Sequence, residues 1–130
     1  MRKEIRVEGL NPPISHYTDA VRFGDLLFIS GVAPCDEMLN LVGGDDVVAQ
    51  ARQVFVNMAR ILKAAGAGLA DVLKVTVYLT DVNDRARINP VREEFFGTTR
   101  PASTLIGVAA LALPGMKIEI EAVAGLRPRA

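Results

Sequence analysis

The chain has 130 residues, half of them hydrophobic, with 15 basic and 15 acidic side chains and no tryptophan. That length suits one domain over residues 1–130, with its own core and a tendency to self-associate. A neutral chain with few aromatics lacks the basic field and stacking platform of nucleic-acid binders, so the expected partner is a small molecule or a protein.

The single cysteine, Cys35, forbids an intrachain disulfide and suits a reducing compartment. The opening Met1-Arg-Lys-Glu-Ile-Arg has no apolar signal core, and no run is long enough to cross a membrane. The expectation is a cytoplasmic protein with no membrane partner. His16 and Cys35 lack companions at metal-ligand spacing, so neither a metal nor a cofactor is expected.

Residues 17–30 predict two strands about a turn at Gly24-Asp25, residue types that tolerate hairpin dihedrals. Leu26 to Ile29 is apolar on both faces, which implies cover on both sides. Residues 35–44 predict a loop. From Asp45 to about Ala65 the apolar positions Val47, Ala51, Val54, Phe55, Met58 and Leu62 recur at helical spacing, and Gly66 suits the position after the last turn.

Leu73 to Thr80 alternates as a strand, with Leu73, Val75, Val77 and Leu79 on one face. A second, shorter helix is expected from Asn83 or Asp84. Within it Asn89-Pro90 suggests an N-cap followed by proline at the first helical position, and Gly97 ends the segment. Two strands close the chain, the second with Ile118, Ile120 and Ala122 alternating against Glu119, Glu121 and Val123. This order gives an α+β fold with two helices on one face of a mixed sheet. The simplest cover for the other face is a second copy of the chain, which would put Glu119 in a cleft between subunits.

Several segments together resemble one known family. Tyr17-Thr-Asp-Ala-Val-Arg-Phe-Gly-Asp through Pro34 is similar to the N-terminal signature of the RidA (YjgF, reactive intermediate deaminase) proteins. Gln50-Ala-Arg-Gln-Val-Phe-Val-Asn-Met, Val75-Thr-Val-Tyr-Leu-Thr-Asp-Val-Asn-Asp, Asn89 through Gly97, Arg100-Pro-Ala and Ile118-Glu-Ile-Glu-Ala-Val-Ala follow in family order. The resemblance implies a chorismate-mutase-like fold, a homotrimer and three intersubunit clefts. It also implies hydrolysis of reactive enamines and imines to a carbonyl compound and ammonia.

The resemblance assigns roles position by position. Glu119 would orient or activate the attacking water, with Tyr17, Ser30 and Asn89 shaping the pocket. The family arginine that binds the substrate carboxylate is absent, because its Pro-Ala-Arg reads here Pro101-Ala102-Ser103. A serine offers one neutral hydrogen bond where a guanidinium offers a charged fork. Losing such a bond costs about 1.5–3 kcal/mol, which implies an altered substrate. Arg92, where the family commonly has an aromatic residue, is the nearest candidate replacement.

Each residue also has a plainer reading. Glu119 could be a solvated strand carboxylate, Glu121 an ion-pair partner, Asn89 only a helix cap, and Tyr17 and Ser30 packing residues. Two functions follow: a deaminase acting on a small enamine or imine, or a non-catalytic trimer that binds a metabolite for regulation.

Overall fold

The computed structural model describes residues 1–127. Helix α1 (Val47–Ala64) forms because its apolar stripe meets a matching sheet face. Its first turn is capped by Asp46, whose side chain accepts a hydrogen bond from the Val48 N–H, and the helix starts two residues after the expected Asp45. The strands are β1 (Arg2–Ile5), β2 (Ala20–Phe23), β3 (Leu26–Val32), β4 (Val72–Leu79), β5 (Ala102–Gly107) and β6 (Ile118–Gly125). They form one sheet in the order β1-β2-β3-β6-β4-β5. Among the described residues only β4 and β5 pair in parallel, and the crossover this requires is helix α2 (Arg85–Phe96).

Both helices lie over one face of the sheet. Leu27 and Ile29 of β3, Val75, Val77 and Leu79 of β4, and Ile118, Ile120, Ala122 and Ala124 of β6 are buried there with Val54, Phe55, Met58 and Leu62 of α1. Phe55 ties the two helices together, stacking on Phe95 at 5.3 Å and meeting Phe96 edge-on at 5.4 Å. Such aromatic pairs add about 0.5–1.5 kcal/mol each beyond their buried area. No helix is long and apolar enough to cross a membrane among the described residues.

Four local features depart from the expectations. Strand β1 was not anticipated, because Arg-Lys-Glu-Ile shows no apolar alternation and only Ile5 packs on the core. Leu73 is 53% exposed rather than buried. A register shift between Val72 and Lys74 gives Val72 the core position and turns Leu73 outward. Asn89 is not a helix cap. A 3-10 turn at Val82–Asp84, capped by the Asp81 side chain on the Asn83 N–H, runs directly into α2, so Asn89 and Pro90 both lie inside the helix. Fourth, the apolar pair Leu26 and Phe28 lies uncovered in the single chain, at 39% and 46% exposure. They sit on the face opposite the helices, with Ile106 also exposed there.

Candidate active site

The sheet is irregular where β3 meets β6. Ile29 pairs with Ala122 and Val32 with Ile120, so Ser30 and Gly31 together oppose Glu121. This bulge bends the strand and opens the ladder beside the Glu119 side chain. A Cβ added to Gly31 would lie 2.8 Å from both Cδ and Oε2 of Glu119, so the glycine is what lets the carboxylate fold across the bulge.

Glu119 forms one wall of a cleft of about 360 Å³, with Tyr17, Ser30, Gly31, Leu113 and Met116 among its lining. Burial, and secondarily the charge of Glu121, push the Glu119 carboxyl above its usual value. No protein group hydrogen-bonds to it among the described residues. Glu121 differs. Its Oε1 accepts a 2.8 Å hydrogen bond from the Tyr78 hydroxyl, and that bond in turn raises the Tyr78 phenol. One carboxylate of the Glu119–Glu121 pair is therefore tied to the sheet and the other is free to meet a ligand.

The neighbouring polar groups are constrained too. The Ser30 hydroxyl donates to the Thr18 carbonyl at 2.6 Å, leaving only its acceptor lone pairs toward the cleft. The Tyr17 hydroxyl accepts weakly from the Ile14 N–H at 3.4 Å, so its own proton remains available to donate.

Asn89, Arg92 and Ser103 lie elsewhere. Arg92 reaches from α2 to β5, where its Nη2 donates to Ser103 Oγ at 2.9 Å. Burial lowers the guanidinium pKa, but an arginine stays charged near neutrality. With Asn89, Phe96, Arg100 and Pro101 it lines a second hollow of about 250 Å³. Ser103 stands beside Val75, whose side chain is buried under the helices, whereas Glu119 alternates with the buried Ile118 and Ile120 and so faces the other way. One chain thus joins Tyr17, Ser30 and Glu119 in one cleft and Asn89, Arg92 and Ser103 around another, on opposite faces of the sheet.

Two supporting residues were missed from sequence. Gln50 is fully buried: its amide nitrogen donates to the carbonyls of Gly44 (2.7 Å) and Gly115 (2.9 Å), while its oxygen accepts from the Lys117 N–H (2.7 Å). It thereby fixes the loop carrying Leu113 and Met116 and the entry to β6. Asn57 donates to the carbonyls of Ala33 (3.1 Å) and Cys35 (2.8 Å), anchoring the exit of β3. Their signal was a polar amide on the apolar stripe of α1, three residues after Val47 and Val54 respectively.

A profile of the family described as endoribonuclease L-PSP matches residues 9–126. A RutC family protein of Pyrococcus horikoshii is 43% identical over 124 residues, covering 95% of this chain and 98% of the relative. A 2-iminobutanoate/2-iminopropanoate deaminase of Salmonella typhimurium is 39% identical over 127 residues, covering 95% and 98%. The crystal structure of the YjgF gene product from E. coli superimposes with a TM-score of 0.87 at 36% identity, covering 96% of this chain and 99% of that one.

Proposed function

Since the chain belongs to the endoribonuclease L-PSP family, which includes the RidA (YjgF) proteins, we propose that it hydrolyses a small imino or enamino acid to a keto acid and ammonia. The observation that carries this reading is Glu119: a half-buried carboxylate with no protein partner among the described residues, folded over Gly31 into a cleft. Burial raises its carboxyl above the usual range, the direction that suits a group taking and then returning a proton. As the water oxygen bonds to the imine carbon, Glu119 takes the water proton and the C=N electron pair moves to nitrogen. Returning that proton to nitrogen gives the neutral carbinolamine, and a second transfer by Glu119, from its hydroxyl oxygen to its nitrogen, makes the nitrogen a leaving group. The carbinolamine then collapses to the carbonyl with loss of ammonia, and no electrons are transferred to an outside acceptor.

The substrate carboxylate falls to Arg92, held by Ser103. The cation thus comes from a helix rather than from the strand position that Ser103 occupies, which favours a substrate of altered reach. Because Arg92 and Glu119 face opposite sides of one chain, the site is completed by assembly: a homotrimer in which the Glu119 cleft of one subunit meets the Arg92 hollow of the next. The uncovered Leu26, Phe28 and Ile106 support such an interface.

The test is ammonia release from freshly generated 2-aminoacrylate by the wild type and by Glu119→Gln and Arg92→Gln. Glu119→Gln should abolish turnover, and Arg92→Gln should raise KM more than it lowers kcat. Wild-type release no faster than buffer would refute the deaminase reading. Ligand-dependent thermal stabilisation without turnover would instead support the non-catalytic metabolite-binding trimer, the reading that the loss of arginine at Ser103 favours.

A further inference from the structure

A second feature lies on the helix-covered side of the sheet, at the end away from these clefts. Strands β1 and β2 pair Lys3 directly with Arg22. Their neighbours Ile5 and Ala20, one pleat further along, pack on the core, so Lys3 and Arg22 project from that same face beyond the core's edge. There they meet the C-terminal end of α1 and the chain after β6. The hollow between has a volume of about 360 Å³ and is lined by Lys3, Arg22, Lys63 and Arg127, with Ile5 and Leu126 as its apolar floor. Among the described residues no acidic side chain lines it.

Ordinary structural roles explain only part of this charge. Lys63 is in the last turn of α1, where a cation complements the partial negative charge of the helix end. Arg127 pairs with Asp71 at 3.5 Å. Lys3 and Arg22 have no carboxylate partner among the described residues, and Arg22 uses only its Nε, on the Gly24 carbonyl at 3.1 Å. Four cations less Asp71 and about half a charge from the helix end leave a surplus of roughly two to three positive charges. Like charges directly opposite on paired strands destabilise the sheet. Protection of the β1 edge does not require them, because Arg2 and Glu4 already supply an ion pair on that strand at 2.7 Å.

We propose that this hollow binds a small phosphorylated metabolite bearing a diphosphate, with the phosphates between Lys3, Arg22 and Lys63 and the organic part against Ile5 and Leu126. A single carboxylate would leave most of the surplus uncompensated, whereas a diphosphate matches it. Among the described residues the lining holds no aromatic ring on which a base could stack, which favours a compact anion over single-stranded nucleic acid. The site shares no lining residue with the Glu119 cleft or the Arg92 hollow, so it stands apart from the deaminase reading.

The experiment is isothermal titration of the full chain with inorganic pyrophosphate, inorganic phosphate and a nucleoside diphosphate, repeated with Lys3→Gln, Lys63→Gln and the double variant. Each side chain is exposed, and its removal leaves the core untouched. Pyrophosphate should bind more tightly than phosphate and weaken as salt rises. Each single variant should lose about three- to fivefold in affinity, and the double variant more than tenfold. Tighter binding of the nucleoside diphosphate than of pyrophosphate would identify the organic part as recognised; equal binding would assign the site to free diphosphate. Ammonia release should be unchanged in all variants. Absence of saturable pyrophosphate binding, unchanged affinity in the double variant, or stronger binding of a single-stranded RNA oligomer would each overturn the proposal.

Discussion

Gly31→Ala separates the placement of Glu119 from the stability of the fold. The added Cβ would stand 2.8 Å from Glu119 Cδ and Oε2 and 3.2 Å from its Cγ. A normal carbon contact lies at about 3.5–4.0 Å, so the carboxylate must retreat by roughly 0.7–1.2 Å. The backbone is not in a conformation reserved for glycine, and the obstructing atoms are the end of a flexible side chain. The conformational cost is that of an off-rotamer torsion, about 0.5–1.5 kcal/mol, or a few degrees in melting temperature. Catalysis should suffer far more, because a displacement of about 1 Å can cost on the order of a hundredfold in rate. The assay pairs a thermal melt with ammonia release from 2-aminoacrylate. Activity within threefold of wild type would refute the claim that Gly31 sets the reactive position of Glu119, and so would a loss of activity that merely tracks a large fall in melting temperature.

Glu119→Gln also carries a pH signature: burial raises the carboxyl pKa in the folded chain, so its contribution to stability is fully present below the unfolded value of about 4.3 and is lost as pH rises through the raised folded value. The glutamine variant should therefore melt higher than wild type at neutral pH and lose that advantage below about pH 4; an equal difference at both would contradict the assignment. Gln50→Met leaves the Gly44 and Gly115 carbonyls and the Lys117 N–H without their partner. At about 1–3 kcal/mol for each buried unsatisfied group, chemical denaturation should show a loss of at least about 3 kcal/mol. If the proposed trimer forms, Phe28→Asp, at a position 46% exposed in the single chain, should dissociate it without unfolding the subunit. Light scattering would show a monomer and circular dichroism an intact fold, whereas an unchanged mass would argue against that interface.

What the sequence made legible was periodic and local. The alternation of Ile118, Ile120 and Ala122 with Glu119 and Glu121, and the apolar stripe of α1, both lie where expected. What escaped depends on pairing between distant segments. That Ser103 shares a face with Val75 follows from the β4–β5 register, which no window around Ser103 contains. The bulge at Ser30–Gly31 likewise exists only relative to β6. Leu73 misled because one extra residue at the start of β4 gives the core position to Val72 while Val75, Val77 and Leu79 keep theirs, and alternation alone cannot reveal where such a shift falls. Asn89-Pro90 misled because Asp81 had already started the helical path upstream.

The strand order has a consequence for how the molecule is made. The last strand of the described residues, β6, lies in the middle of the sheet, between β3 and β4. During synthesis the N-terminal hairpin and the β4–α2–β5 unit emerge while the strand that joins them is still inside the ribosome. At about 5–20 residues per second, both inner edges stay open for seconds after β4 is out. Unpaired edges of apolar strands invite pairing with other chains. A nascent chain stalled before Ile118 would be a ready target for chaperones, and release of the last strand is the event that closes the sheet.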